Sequence, residues 1–487
     1  MGGYILQITL SNEIIVQNPT PEIIKFCTDS LVLPNPEYYK KQRMGFWLGN
    51  TPATLSLYRR NGNKYLIPYG SWNDLKKMAP PGTPINTDLA SNPTVDYGTK
   101  LPLYDYQETA VNSITQRTNG ILQAPCGSGK TQMGIQLTAT LGKKTLWLTH
   151  TTDLLNQSYE RAAQYMDKSL LGKITGGKVN ISEGITFATV QTLSKVDLSQ
   201  YKYTWDVVIV DECHRVAGSP TSLTMFSKVI NSLAAPYKYG LSATVHRGDG
   251  LIKSTFALLG EVIYQVSKDE IADKTMDVTI QKVNTDVTIS ESCLDTDGTV
   301  IFSELINYLV ENETRSKLIA AKIAENRNHS NMILSDRLQH LRELITCLLN
   351  LGIPADQIRM IDGEMTGKKA KAERKQALDD MKSGDAKFLF LSYSLGKEGL
   401  DIPNLDRLYL TIPHKNFTVV TQSIGRIERT SDNKDSAICY DFVDNIESCV
   451  KSWKQRKSIY KKNGCVILED AAQTTKPSQM SLFQFTA

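Results

Sequence analysis

The sequence predicts an α/β protein: two successive parallel-sheet lobes, with a small α+β domain before them and a flexible polar tail after them. Apolar strand-like runs alternate with helical patterns from about residue 100 to 265, and the alternation resumes after about 300. Short runs of alternating apolar and polar residues fill the first 95 positions instead. A chain of 487 residues has room for about three domains at the usual ~100–200 residues each.

The first segment, 1–95, reads as strands in Tyr4-Ile-Leu-Gln-Ile-Thr-Leu and Ala53-Thr-Leu-Ser-Leu-Tyr. The Pro- and Gly-rich stretch from Ala79 to Asp88 reads as a linker. In the first lobe, 96–265, the runs Thr145-Leu-Trp-Leu-Thr, Trp205-Asp-Val-Val-Ile-Val and Tyr239-Gly-Leu-Ser are apolar on both faces. That pattern implies a parallel sheet covered by helices on both sides. Residues 266–300 read as a polar connection containing one β-like segment. The second lobe, 301–465, carries Met332-Ile-Leu-Ser, Lys387-Phe-Leu-Phe-Leu-Ser, Arg407-Leu-Tyr-Leu-Thr-Ile and Ala437-Ile-Cys-Tyr-Asp-Phe-Val. Residues 466–487 form the tail.

A net charge of +4 neither establishes nor opposes a polyanionic partner, because the local arrangement of charge decides binding. The eight cysteines include no C-x-x-C pair and no cluster at zinc-ligand spacing, which fits a reduced compartment better than a disulfide scaffold. Met1 to Leu6 lacks the basic and long apolar regions of a signal peptide, and no apolar run reaches the ~18 residues that span a bilayer. A cytoplasmic location is expected.

The loop Ala124-Pro-Cys126-Gly127-Ser128-Gly129-Lys130-Thr131 follows the run Gly120-Ile-Leu-Gln and precedes a helical pattern. In that setting Gly127 and Gly129 let backbone amides of the loop, Cys126 and Ser128 included, turn inward around phosphate oxygens at a helix N-terminus. Lys130 is placed to reach the β- and γ-phosphates of ATP, and the Thr131 hydroxyl to ligate Mg²⁺. Ala124 stands where the motif usually begins with Gly, and the cradle survives the change. Val207-Val-Ile-Val-Asp211-Glu212-Cys213-His214 sets two carboxylates at the C-terminal end of a buried strand, where ligands of open parallel sheets bind. Asp211 suits the metal shell and Glu212 the attacking water, the two needs of triphosphate hydrolysis.

With these motifs in place, the chain from about 100 to 445 resembles superfamily-2 helicases of the DExH type, closest in outline to phage UvsW-like and XPB-like DNA helicases. The resemblance implies two tandem RecA-like lobes. It further implies that Gln107, in Leu103-Tyr-Asp-Tyr-Gln107, reads the adenine edge. His150, Thr151 and Gln157 match an element that grips a nucleic-acid backbone, and Thr189 and Gln191 match a second such element. Leu241-Ser242-Ala243-Thr244 resembles the segment that couples hydrolysis to lobe movement. In the second lobe Ser394, Gly396 and Asp401, within Ser394-Leu-Gly-Lys-Glu-Gly399-Leu-Asp401, resemble the element that touches strand and ATP. Gln422-Ser-Ile-Gly-Arg426-Ile-Glu-Arg429 resembles the helix of the arginine finger, with Arg429 the finger and Arg426 the adjoining phosphate contact. An arginine supplied by a second lobe makes hydrolysis depend on closure. Arg247 and Asp249 echo an Arg-Glu-Asp element of XPB-like helicases, with Gly248 in place of the Glu, which puts a strand-separating role in doubt.

The function expected is an ATP- and Mg²⁺-dependent DNA helicase or translocase acting on branched or duplex DNA in replication, recombination or repair. An RNA helicase and the motor subunit of a restriction or defence complex stand as alternatives. The basic and aromatic residues Lys40, Lys41, Arg43, Phe46, Trp47, Tyr58, Arg59, Arg60 and Lys64 mark 1–95 as a nucleic-acid-binding accessory domain, resembling the small N-terminal domain of UvsW-type helicases, with the cations as its better contacts. The cations Lys451, Lys454, Arg456, Lys457, Lys461 and Lys462 around Trp453 read either as a helix tracking a duplex backbone or as a solvated face. Gln479-Met-Ser-Leu482-Phe483 resembles the bacterial sliding-clamp peptide, which makes a clamp a candidate partner.

Overall fold

The computed structural model describes residues 5–98, 100–125, 127–217, 219–245, 250–362, 368–396, 400, 402–414, 416–431 and 434–468. Cys126, Asp401, the Arg247–Asp249 element and the Gln479–Phe483 peptide lie outside them. The chain divides into two compact units, Met1–Lys274 and Thr275–Ala487. Both are built on parallel sheets, as tandem RecA-like lobes. Among the described residues no helix is long and apolar enough to cross a membrane.

The larger sheet of the first unit has eight strands. From one edge they are Lys178–Asn180, Leu171–Thr175, Ile185–Thr189, Thr145–Thr149, Val207–Asp211, Tyr237–Ser242, Asn119–Gln123 and Val262–Gln265. Every pairing is parallel except the first. Three central strands, Thr145–Thr149, Ile185–Thr189 and Val207–Asp211, are buried along their whole length. Because side chains alternate across a strand, each strand feeds two cores. Trp147, Phe187, Ile209 and Leu241 enter one, while Leu146, Leu148, Val208 and Val210 enter the other. This is why these runs lack a polar face in the sequence.

The first 95 residues do not stand apart from this lobe. Their mixed sheet runs Arg59–Asn61, Lys64–Ile67, Ile14–Gln17, Gln7–Leu10 and Ile85–Thr87. Ile85–Thr87, read from sequence as linker, pairs in parallel with Gln7–Leu10 and completes the sheet. The core beneath it takes in Ala257 from the lobe. Lys238, buried in a lobe strand, donates to the Asn12 carbonyl at 2.9 Å, and burial depresses its pKa to about 7. Asp88 accepts from Lys202 at 2.7 Å and Tyr203 at 2.8 Å. The boundary expected near 95 is therefore bridged by shared core and hydrogen bonds, which neither composition nor the proline-rich stretch discloses.

The second unit holds seven strands, all parallel. Their order is Ile358–Ile361, Phe388–Leu391, Asn331–Leu334, Arg407–Leu410, Ala437–Asp444, Val278–Thr285 and Val466–Leu468. Two readings of the sequence are corrected here. Val278–Thr285, assigned to the connection, is a full strand of this sheet, in register with Ala437–Asp444 from Val278↔Ala437 to Thr285↔Asp444. It is the β-like segment of that connection, and its alternating polar residues suit a strand next to the edge. Val466–Leu468, assigned to the tail, is the edge strand itself.

The basic helix Glu447–Lys462 also differs from a uniformly cationic face. Arg456 is buried and forms a bidentate pair with Asp441, both contacts at 2.7 Å. The Tyr460 hydroxyl bonds the same carboxylate, and Trp453 packs in the core beside Tyr460. Arg456 and Trp453 hold the helix to the sheet and are withdrawn from any partner. Lys451, Lys454, Lys461 and Lys462 remain outward. A second buried pair, Arg315 with Asp444 at 2.6 Å, ties a helix to the same strand. Each such arginine fixes a strand end through a planar fork that a lysine would not reproduce.

Candidate nucleotide-binding site

The functional residues of the first lobe line up along the carboxyl edge of its sheet. Following the strand order, Thr189 ends one strand, His150 follows the next, Asp211 ends the third, Ser242 the fourth, and the glycine loop follows the fifth. Side-by-side parallel strands deliver these residues to one edge although they are far apart in sequence.

The loop leads from Asn119–Gln123 into the helix Lys130–Leu141. Gly129 caps that helix in the left-handed region at φ 77°, and Gly127 turns at φ 81°. A Cβ on Gly129 would sit 2.4 Å from Gln107 Nε2, so only glycine allows both the turn and the neighbour. Lys130 Nζ lies within the loop, donating to the carbonyls of Ala124 and Pro125 at 3.2 Å each. Thr131 occupies the second helical position and is half-buried.

Gln107, expected at the adenine edge, lies against the glycine loop. Its side-chain oxygen accepts from the Tyr104 amide at 3.0 Å, capping the helix Asp105–Thr115, and Nε2 donates to the Ser128 carbonyl at 2.8 Å. The Tyr106 hydroxyl donates to that carbonyl at 3.0 Å. One end of the Gln107 amide thus caps its own helix and the other braces the glycine loop. The sequence assigned Tyr106 no role; it is an aromatic in the helix Asp105–Thr115, next to Gln107.

Asp211 is buried at the strand end, where its carboxylate accepts from the Glu212 amide at 2.9 Å and from Ser158 Oγ at 3.3 Å. Burial raises its pKa, the adjacent Glu212 charge raises it further, and Lys130 opposes both. Glu212 itself adopts the left-handed conformation at φ 48° and ψ 50°, one of two non-glycine residues with positive φ among those described. Such a conformation costs about 1–2 kcal/mol, and here it turns the glutamate side chain toward His214. Glu212 Oε2 lies 3.2 Å from His214 Nδ1, which is 3.0 Å from Ser242 Oγ. Ser242 Oγ donates to the Thr244 carbonyl at 2.7 Å. His214 therefore sits beside the acidic pair and is hydrogen-bonded to the Ser-Ala-Thr segment on the neighbouring strand. The sequence marked His214 as the last residue of the acidic box but gave it no contact of its own.

On the other side of Asp211, Gln191 Nε2 and His150 Nδ1 are 3.2 Å apart, so the two expected grips form one patch. Thr151 caps the helix Thr152–Ala162 through the Leu154 amide, and Thr189 caps the short helix Val190–Leu193. Gln157 is exposed on the first of these helices.

In the second unit, Arg426 donates from Nη1 to the Leu400 carbonyl at 3.0 Å and from Nε to that of Gly396 at 3.3 Å. Gly396 is buried against Leu334, whereas Ser394 is exposed with its hydroxyl 2.8 Å from that of Ser392. Arg429 is half-buried, and its backbone is held twice. It bridges to Thr275, and its carbonyl accepts from Lys434 Nζ at 2.7 Å. Lys434 also donates to the Ile427 carbonyl at 2.6 Å, and burial lowers its pKa to about 8. This lysine anchors the segment carrying both arginines, a role the sequence did not mark.

Comparison with known proteins agrees with these features. Residues 100–247 match the family model of the type III restriction enzyme res subunit, and residues 300–431 match the helicase conserved C-terminal domain. The chain belongs to superfamily 2 of the helicases and is an ATP-hydrolysing enzyme of that class. It is 26% identical to the DNA 3'-5' translocase XPB2 of Sulfurisphaera tokodaii, over 69% of this chain and 80% of that one. It is 22% identical to the ATP-dependent DNA helicase uvsW of Enterobacteria phage T4, over 85% of each chain. A protein of Acanthamoeba polyphaga mimivirus, L396, provisionally named an ATP-dependent RNA helicase, is 25% identical over 94% of this chain and 84% of its own.

The strain at Glu212 generates a stability test. Asn tolerates the left-handed region better than Glu and removes the half-buried carboxylate adjacent to buried Asp211. Glu212→Asn is expected to raise the melting temperature by about 2–4 °C, corresponding to roughly 1 kcal/mol in a unit of this size. Calorimetry showing a lower melting temperature would mean that the glutamate is not held under strain.

Proposed function

We propose that this chain is an ATP-dependent DNA helicase or translocase that unwinds or remodels branched or duplex DNA in replication, recombination or repair. The observation that carries the reading is the ordered edge of the first lobe. The glycine loop, Ser242, Asp211–Glu212, His150 and Thr189 follow one another there, so groups suited to a triphosphate adjoin groups suited to a phosphate backbone. The relatives named as a DNA translocase and a DNA helicase support DNA as the substrate. The relative named as an RNA helicase keeps RNA as the competing reading.

In this reading Lys130 and the amides of the Gly127–Gly129 turn bind the phosphates. The residues fit a divalent cation, because Asp211 is a buried carboxylate beside a second carboxylate and gains its ionised form from added positive charge. Thr131 and Asp211 would hold Mg²⁺, which when bound offsets charge on the phosphate oxygens. Glu212 orients the attacking water, with His214 3.2 Å from its carboxylate. Arg429 supplies the charge-neutralising guanidinium and Arg426 the adjoining contact, on the segment anchored by Lys434. His150, Thr151, Gln157, Thr189 and Gln191 contact the nucleic-acid backbone from the first lobe, with Ser394 and Gly396 from the second.

The deciding experiment scores ATP-dependent unwinding of forked, three-way and four-way DNA junctions against R-loops and RNA duplexes. Branched DNA is expected to be turned over fastest and to stimulate ATP hydrolysis most. Equal or greater activity on RNA duplexes would replace DNA with RNA as the substrate.

The clamp-like peptide forms a separate part of the reading, resting on the sequence Gln479-Met-Ser-Leu482-Phe483 alone. Removing residues 479–487 is expected to abolish pull-down by a bacterial sliding clamp while leaving ATPase activity intact. Undiminished capture by the clamp would remove it as a docking peptide.

A further inference from the structure

Within residues 1–95 Tyr65 and Tyr69 are buried in the core, but Phe46 and Trp47 stand outside it. Trp47 is 89% exposed and Phe46 59%. The other four tryptophans of the chain are buried or half-buried. Trp47 sits on a loop whose base is pinned: the Asn35 amide donates to the Ala53 carbonyl at 2.9 Å, and Asn35 Nδ2 donates to that of Pro52 at 2.8 Å. The loop closes on the helix Pro36–Arg43 through the Phe46 amide, which donates to the Lys41 carbonyl at 2.9 Å.

The ring itself is positioned. A Cβ on Gly49 would lie 2.9 Å from one carbon of the Trp47 ring and within 3.3 Å of two more. The Trp47 ring therefore passes close to Gly49, where an added side chain would crowd it, and the rest of the ring is left to solvent. The preceding helix carries Lys40, Lys41 and Arg43 in its last turn against a single carboxylate, Glu37, paired with Lys41 at 3.2 Å. Lys40 and Arg43 are exposed.

We infer that Trp47, with Phe46 beside it, is a stacking platform for unpaired bases of a single-stranded DNA arm, with Lys40 and Arg43 neutralising the phosphates next to it. A large apolar ring held open to water in this way has its use in contact with another flat apolar face. Excess positive charge around it selects a polyanion, and unpaired nucleobases supply both features without regard to sequence. This reverses the order of importance read from the sequence, in which the cations outranked the aromatics. The inference rests on the DNA-helicase reading and names a contact site that the helicase elements do not include.

The test uses the full chain and its tryptophan emission, to which Trp47 contributes the solvent-exposed component. Titration with a single-stranded deoxyoligonucleotide should quench that component. Trp47→Leu should abolish the quenching and weaken single-strand binding about 5- to 150-fold, the range for loss of one base–aromatic stack. Affinity for a blunt duplex of the same length should be unchanged, and Trp47→Tyr should retain most of the single-strand affinity. The inference is overturned if quenching persists in Trp47→Leu, if single-strand affinity is unaltered, or if single strand and duplex are weakened equally. It is also overturned if Trp47→Leu changes only the sedimentation of the free chain, which would assign the ring to a contact between copies. A wild-type chain that binds neither oligonucleotide would remove the DNA-helicase reading as well; DNA-stimulated ATPase with unaltered single-strand affinity in the variant removes the stacking alone.

Discussion

Two carboxylates side by side at the buried end of a strand repel each other, and the first lobe is arranged around that repulsion. Asp211 accepts the Glu212 amide and the Ser158 hydroxyl, and feels Lys130 across from it. Glu212 is turned away through a left-handed backbone and meets His214. A site of this kind gains most from positive charge entering with a bound nucleotide, which is how a resting strain becomes binding energy. His214, beside Glu212, is in turn held by Ser242 at the end of the neighbouring strand.

The parallel sheet makes this arrangement possible. Its strands are buried on both faces, so polar groups concentrate where the strands end, and all the strands end on the same edge for chemistry. The second unit repeats the device with different fastenings: buried Arg456–Asp441 and Arg315–Asp444 pairs hold helices to one strand, and Lys434 secures the segment of Arg426 and Arg429. The arginines proposed for catalysis thus ride on a braced backbone.

Much of this was legible in the residue pattern because the pattern has strong physical causes. Doubly apolar runs gave the central strands, and the glycine loop, the acidic pair and the Gln-x-x-Gly-Arg-x-x-Arg spacing marked the site. What escaped depends on contacts across sequence distance. The brace from the Gln107 amide to the Ser128 carbonyl joins a helix to the glycine loop across 21 positions. Val278–Thr285 looked like connection because its alternation is that of a strand near a sheet edge. Arg456 looked like part of a cationic face; only the tertiary fold brings Asp441 beneath it. Trp47 shows the converse, since nothing in an apolar-Trp-Gly run distinguishes a core ring from one left open close to a glycine.

The account stands on Glu212 being the group that activates water while Asp211 and the glycine loop bind the nucleotide. The most direct measurement compares ATP binding and steady-state hydrolysis in Glu212→Gln, a change that keeps shape and removes charge. Retained ATP affinity with hydrolysis reduced to background is the result expected. Turnover at the unaltered rate would contradict it.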